Sequence, residues 1–393
     1  MKLIPDDFKE EINNRILNIK KELVNENAEA VLIGSNANIY YTSGRFFRGY
    51  VYISSEEEPL WFVIKPNVFE SGNNVYNIRK PEQIPDILKE NNYLLPSTIA
   101  LEENELSYSD IIRLKALFPD AQLMNGSKIL KKVRMVKTPW EINEMMIDGL
   151  HHTKVYSEIK NCYKPGMSDL QLQIEIEKKL RLEGSLGVSR VSGNLMEINL
   201  GSVISGENAD NPGPYEFTMG GSGVHPALPV GADNSTILEG QTVMIDMNGA
   251  FNGYQTDMTR IWSLGEISGL AGKAHDCSIK ILRRLEKESI PGLPVREMYE
   301  KAIEIVESEG LSEYFMGHRS QVGFIGHGVG IELNELPVLT SRSKDILCEN
   351  MTIAIEPKFV IPHVGAVGIE NTYVVTDFGL KNITVFPEEI MKF

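Results

Sequence analysis

The stretch Val243–Arg260 constrains this chain more than any other part of it. It opens with the apolar run Val243-Met244-Ile245, carries Asp246 next, passes Asn252-Gly253 and reaches Asp257. An Asn-Gly pair between such runs is a strong hairpin signal. A turn centred on that pair sets Asp257 opposite Asn248, with Asp246 two residues along on the same face. Two carboxylates then project from adjacent strands into one space. In an exposed hairpin water solvates both. In a buried one, for which Val243, Met244 and Ile245 argue, the pair needs a proton, a cation or a metal ion.

At 393 residues the chain is long for one hydrophobic core, so two domains are expected. The formal charge of −15 argues against a nucleic-acid or anionic-membrane surface. Cys162, Cys277 and Cys348 stand far apart without a CxxC pair, which excludes a disulfide framework and a cysteine metal site. Each reads as a small buried hydrophobe. No apolar run has the length of a membrane span, and residues 1–10 are charged and lack a signal-peptide core, so the cytoplasm is expected.

Along the chain, Phe8, Ile12, Ile16, Ile19 and Leu23 recur at helical spacing over residues 7–25. Strands are expected at 30–34, 50–54, 60–64, 99–101 and 122–124, helices near 84–89 and at 108–118, and a turn at the end of Asn38–Gly44 (NIYYTSG). This alternation predicts an α/β domain with a mixed sheet over residues 1–135. A connecting helix over 128–136 precedes the boundary. Thr138, Pro139 and Glu141 then form a capping box that starts a helix running to about residue 161. Ser168 and Gln171 start another, with Leu170, Leu172, Ile174, Ile176 and Leu180 as its apolar residues. Glycine- and proline-rich loops are expected over 201–233, helices at 269–289 and 295–309, and strands with glycine turns from Gln321 onward. Residues 136–393 make the second domain.

Three further residues resemble the two aspartates in their setting. His327 sits between glycines in Gly326-His327-Gly328-Val329-Gly330, where backbone and imidazole can approach something closely. Glu356 ends the apolar run Ile353-Ala354-Ile355, and Glu370 follows Gly365–Ile369. Singly, the histidine reads as a structural turn residue and each glutamate as a strand-end surface carboxylate. Together, Asp246, Asp257, His327, Glu356 and Glu370 form an oxygen-rich set suited to two divalent ions, with Mn²⁺, Co²⁺, Fe²⁺ and Zn²⁺ all compatible. Two such ions sharing a water are equipped to hydrolyse an amide.

These residues, in this order and with separations of 11, 70, 29 and 14, resemble the pita-bread metallohydrolase family of prolidase, aminopeptidase P, methionine aminopeptidase and the metal-free creatinase. The motifs are Asp246-x-x-Gly249 followed by Tyr254-x-Thr256-Asp257-x-Thr259-Arg260, Gly-His-Gly-Val-Gly, Ile-Glu-Pro and Ile-Glu-Asn. The resemblance covers most of the chain. It implies a pita-bread catalytic domain, a curved antiparallel sheet with flanking helices, preceded by a creatinase/prolidase-type N-terminal domain that points to prolidase or aminopeptidase P. It also implies that Asp246 and Asp257 hold one metal, that His327 and Glu356 hold the other, and that Glu370 bridges both. Glu356 is then the general base toward a bridging hydroxide, and the reaction is hydrolysis of the bond before proline. A homodimer is implied by the same analogy, with Arg45 or Arg48 reaching substrate across the interface; the alternative is a pair of surface arginines.

Three positions depart from the family. Val230 stands where a histidine is usual, Asn334 where a second is usual, and Gly368 where an arginine precedes the last glutamate. His225 and His363 are the candidates to substitute as substrate-binding groups, against readings as turn and surface histidines. Asn334 retains a hydrogen-bond donor for an oxyanion but cannot shuttle a proton. Arg260 is expected to orient the Asp257 carboxylate. The leading expectation is an Xaa-Pro peptidase acting on small peptides. The same departures support a metal-dependent relative acting on a non-peptide small molecule, as a C–N hydrolase or a lyase. A non-catalytic relative is the third reading.

Overall fold

The computed structural model describes residues 1–72, 74–193, 198–216 and 219–393. They divide into two units, Met1–Arg134 and Met135–Phe393. The first contains α1 (Lys9–Asn25), β1 (Ala30–Ile33), α2 (Asn36–Ser43), β2 (Arg48–Ser54), β3 (Leu60–Lys65), β4 (Val75–Asn77), α3 (Ile84–Glu90), β5 (Thr98–Leu101), α4 (Tyr108–Lys115), β6 (Gln122–Asn125) and α5 (Gly126–Met135), the last reaching one residue into the second unit. Among the described residues these strands form one mixed sheet in the order β4-β3-β2-β1-β5-β6. The expected turn after Tyr41 is the end of helix α2. Gly44, at φ +69°, caps it through its N–H to the Tyr40 carbonyl.

The second unit begins with α6 (Pro139–Ser157), α7 (Ile159–Cys162) and α8 (Asp169–Glu183). Both expected capping boxes are present, Thr138 with Glu141 and Ser168 with Gln171. Leu172, Ile176 and Leu180 are buried, whereas Ile174 is exposed on the opposite face. The stretch expected as loops over 201–233 opens with a strand, β7 (Gly201–Ser205); residues 217 and 218 of it lie outside the described residues. Then follow β8 (Thr242–Gly249), β9 (Thr256–Ser263), α9 (Gly269–Glu288), α10 (Val295–Glu309), β10 (Gly326–Gly328), β11 (Glu335–Val338), β12 (Thr352–Ile355), β13 (Lys358–Ile361), β14 (Gly365–Gly368), β15 (Asn371–Thr376), β16 (Gly379–Asn382) and β17 (Met391–Lys392). Among the described residues they pair as β17-β9-β8-β7, as β11-β10-β12-β15-β16, and as the hairpin β13-β14.

The period of two along β8 and β9 decides what faces the site. Val243, Ile245, Met247, Met258 and Trp262 pack with α6 and α8 in one hydrophobic cluster. Asp246, Asn248, Asp257 and Thr259 alternate with them and point the other way. A second cluster joins α9 and α10 to Ile353, Ile355, Phe359 and Val367 of the remaining strands. Cys162 and Cys277 are buried as expected, whereas Cys348 is exposed, contrary to expectation, just before a turn at 349–350. No helix among the described residues is long and apolar enough to cross a membrane.

Candidate metal centre

The hairpin has the expected register, with Asn248 opposite Asp257 and Asp246 opposite Thr259. Its connection is longer than a two-residue turn, because pairing stops at Gly249 and Thr256. A side chain at Gly249 would meet Thr256 Oγ1 at 2.4 Å and Asp148 Oδ2 at 2.5 Å, so this end of the hairpin is pinned against α6. His327 lies in β10, between β11 and β12. A Cβ on Gly326 would sit 2.1 Å from the Ala354 carbonyl oxygen, and one on Gly328 2.0 Å from that of Leu336. The flanking glycines therefore let the strands on either side close on the histidine. Glu356 follows β12, and Glu370 lies between β14 and β15.

These elements bring all five predicted ligands together. Asp257, His327 and Glu370 offer donor atoms that lie within 4.8 Å of one another, as do Asp246, Glu356 and Glu370. His327 Nε2 is 3.7 Å from Asp257 Oδ2 and 3.6 Å from Glu356 Oε1, too long for hydrogen bonds. Glu370 Oε1 is buried and has no hydrogen-bond partner. A buried carboxylate oxygen without a donor is costly, and a divalent cation is the group this donor set fits. Burial, with the charges of Asp246 and Glu356, raises the pKa of Asp257 well above the usual carboxylate range. Burial, with Asp257 and Glu356, does the same to Glu370.

Lys358 completes the centre. Its side chain is fully buried, and Nζ donates to Asp246 Oδ2 at 2.8 Å, Glu356 Oε2 at 2.9 Å and Glu370 Oε2 at 3.1 Å. Burial works against the ammonium, but the three carboxylates outweigh it and push its pKa well above the usual lysine range. Thr259 Oγ1 also donates to Glu370 Oε2, at 2.7 Å. Sequence reasoning missed both residues. Each stands two positions from a ligand, Lys358 after Glu356 and Thr259 after Asp257, and that spacing was the available signal.

A cavity of ≈ 370 Å³ opens onto the centre, lined by Asp246, Asp257, His327 and Glu356 together with Val230, Phe324, Leu333 and Asn334. Two of the three departing positions, Val230 and Asn334, thus form its wall. The Asn334 amide is turned to the main chain, accepting from Ser192 N–H at 2.6 Å and donating to Ser192 O at 3.4 Å. His225 lies in an exposed turn, where Nδ1 accepts from Ala227 N–H at 3.1 Å, and is not among the residues lining the cavity. His363 is exposed and pairs with Glu207 at 2.5 Å, also away from that lining. Arg260 differs from expectation in its partner. It donates to the carbonyls of Glu370 (2.8 Å) and Pro387 (2.7 Å) and to Asn371 Oδ1 (2.7 Å), so it fixes the strand bearing Glu370 rather than the Asp257 carboxylate. Arg45 and Arg48 belong to the first unit, at the end of α2 and the start of β2; Arg45 Nε is buried without a hydrogen-bond partner, and Arg48 is exposed.

Residues 145–377 match the model of metallopeptidase family M24, and residues 15–136 match that of the creatinase/prolidase N-terminal domain. The chain belongs to metallopeptidase family M24. It is 26% identical over 386 residues to an Xaa-Pro dipeptidase of Pyrococcus furiosus, covering 97% of this chain and 100% of the relative. It is 24% identical over 393 residues to the putative dipeptidase YkvY of Bacillus subtilis, covering 96% and 99%. The structure of an Xaa-Pro dipeptidase from Bacillus anthracis superimposes with a TM-score of 0.80 at 23% identity, covering 97% of this chain and 100% of that one. The M24 fold, an α/β domain followed along the chain by a pita-bread domain, is therefore the fold of this chain, and the enzyme class is metallopeptidase.

Proposed function

We propose that this M24 enzyme hydrolyses the bond before proline in small peptides. One observation carries the reading: Asp257, His327, Glu356 and Glu370 converge beside a mainly apolar cavity of ≈ 370 Å³, a size suited to a small ligand. The full-length match to a relative named Xaa-Pro dipeptidase supports the substrate class.

In this reading those four residues hold a divalent ion, which when bound lowers the pKa of a water and polarises the scissile carbonyl. Glu356 has Oε2 held by Lys358 and Oε1 turned toward His327. It is the group oriented to take the proton of the attacking water and return it to the leaving nitrogen. Buried Val230 offers an apolar wall against which a proline ring or a substrate side chain packs. Asn334, engaged by Ser192, shapes that wall and moves no proton.

The test is cleavage of Ala-Pro, Met-Pro and a longer Xaa-Pro-Pro peptide after loading with Mn²⁺ or Co²⁺, beside Asp257→Ala. Turnover that disappears in the variant supports the reading. A second reading rests on Val230 and Asn334, which remove both usual histidines from the cavity wall: the substrate is then a non-peptide small molecule, cleaved by C–N hydrolysis or elimination. Inert peptides with metal bound, and hits in a small-molecule panel, would put this second reading first.

A further inference from the structure

The centre contains two acidic groupings, and they are not equivalent. Asp246, Glu356 and Glu370 are the three carboxylates that the Lys358 ammonium already joins. Among the described residues Asp257, His327 and Glu370 have no such cation between them, and the buried Glu370 Oε1 lacks a donor. The atoms divide accordingly. Glu356 and Glu370 turn Oε2 to the ammonium; Glu356 Oε1 lies 3.6 Å from His327 Nε2, and Glu370 Oε1 is left without a hydrogen-bond partner among the described residues.

We propose that Lys358 takes the place of one of the two cations expected at such a centre, so that this enzyme binds a single divalent ion, held by Asp257, His327, Glu356 and Glu370. The inference rests on the metallopeptidase reading and concerns the number of ions. A metal ion binds carboxylate oxygens at about 2.0–2.2 Å. An ion at the second grouping would need the oxygens that Nζ holds at 2.8–3.1 Å. The ammonium cannot simply withdraw, because its side chain has 0% exposure and leaving its carboxylates would strand a buried charge.

The backbone explains how the lysine came to fill this position. Lys358 pairs in register with Gly368 across the β13–β14 hairpin. Gly368 has φ +120°, and a Cβ there would meet Pro357 O at 2.5 Å and Lys358 Cα at 2.9 Å. No side chain fits at 368, the position where the family usually carries arginine. The positive charge therefore comes from the facing strand, on an arm that ends among the ligands.

The test is metal stoichiometry of the intact enzyme, loaded with excess Mn²⁺, freed of unbound ion and measured by elemental analysis and electron paramagnetic resonance. The expected result is about one ion per chain with the spectrum of an isolated Mn²⁺. Asp246→Asn should keep that ion and Asp257→Asn should lose it, and Lys358→Gly should raise the count to about two with an exchange-coupled signal. Two ions bound by the unmodified enzyme would overturn the proposal, whatever the variants do, and so would none. A Lys358→Gly variant that folds by circular dichroism yet still binds one ion would overturn it as well. Peptide turnover is scored separately: one ion bound with no Xaa-Pro cleavage removes the substrate assignment and leaves the stoichiometry standing.

Discussion

Around the candidate metal ligands, individual side chains are held by buried hydrogen bonds whose loss is measurable. Thr259 fixes one oxygen of Glu370. Thr259→Val is expected to weaken divalent-ion affinity about 10–100-fold, read by competition with a chelator, while Thr259→Ser retains it. Behind the hairpin, Asp148 accepts from Phe251 N–H at 2.6 Å and from Thr256 Oγ1 at 2.8 Å, and burial raises its pKa from 3.8 to about 7. A carboxyl with a raised folded pKa contributes stability that is complete below about 4 and lost as pH climbs through about 7. Nearby His152 has the opposite sense. Burial lowers its pKa from 6.5 to about 3, so its contribution is present above about 6.5 and lost as pH falls toward 3. Asp148→Asn, which keeps an acceptor for Phe251, should remove the fall in stability between about pH 4 and 7 and leave the His152 contribution in place. The check is the difference in unfolding free energy between variant and parent at pH 5 and pH 8, expected to change by on the order of a few kcal/mol.

At the scale of elements, β11, which pairs with the imidazole-bearing β10, is tied by a buried ion pair. Lys137 Nζ, just before α6, donates at 2.9 Å to Glu335 Oε2 at the start of β11. The two side chains have exposures of 1% and 4%. Removing one partner of such a pair leaves an uncompensated charge, so Lys137→Ala should cost about 3–5 kcal/mol in denaturant unfolding. Lys137→Met together with Glu335→Leu should recover most of that loss. Element starts were legible from residues alone, since Thr138-Pro139-x-Glu141 and Ser168-x-x-Gln171 are local signals that tertiary contacts do not override. The β7 strand was not legible. Gly201-Ser202-Val203-Ile204-Ser205 has little side-chain pattern, and its pairing with β8 is set by a neighbour about forty residues away.

For the whole molecule, metal binding and folding are expected to be linked in the second unit. Its candidate ligands come from four separate segments, β8–β9, β10, the end of β12 and the β14–β15 junction. An ion that binds only their folded arrangement stabilises it. Mn²⁺ at 100 times its dissociation constant should add about 2.7 kcal/mol, and a chelator should reverse this, both read by calorimetry. Arg260 closes the same unit by tying β9 to the carbonyls of Thr384, Phe386 and Pro387, near where β17 pairs in parallel with β9.

By itself the sequence determined the hairpin register, the helix starts and the five candidate ligand positions. Each follows from local rules: a turn dipeptide, a period of two, a capping residue, a carboxylate or imidazole at a strand end. Tertiary structure alone decided the partners. Lys358 stands two residues after Glu356, but only the folding of the β13–β14 hairpin against β8 seals its ammonium among three carboxylates. Arg260 stands three residues after Asp257, yet, beside one to the neighbouring Thr259 carbonyl, its side-chain hydrogen bonds go to Glu370, Asn371 and residues 384–387, segments over a hundred positions away. His225 lies five residues before Val230, and the turn it occupies directs its ring to its own backbone. Chain proximity says which residues are tethered together. Which charges meet is settled by burial, because an ionised group removed from water must find its counter-charge wherever the fold supplies one.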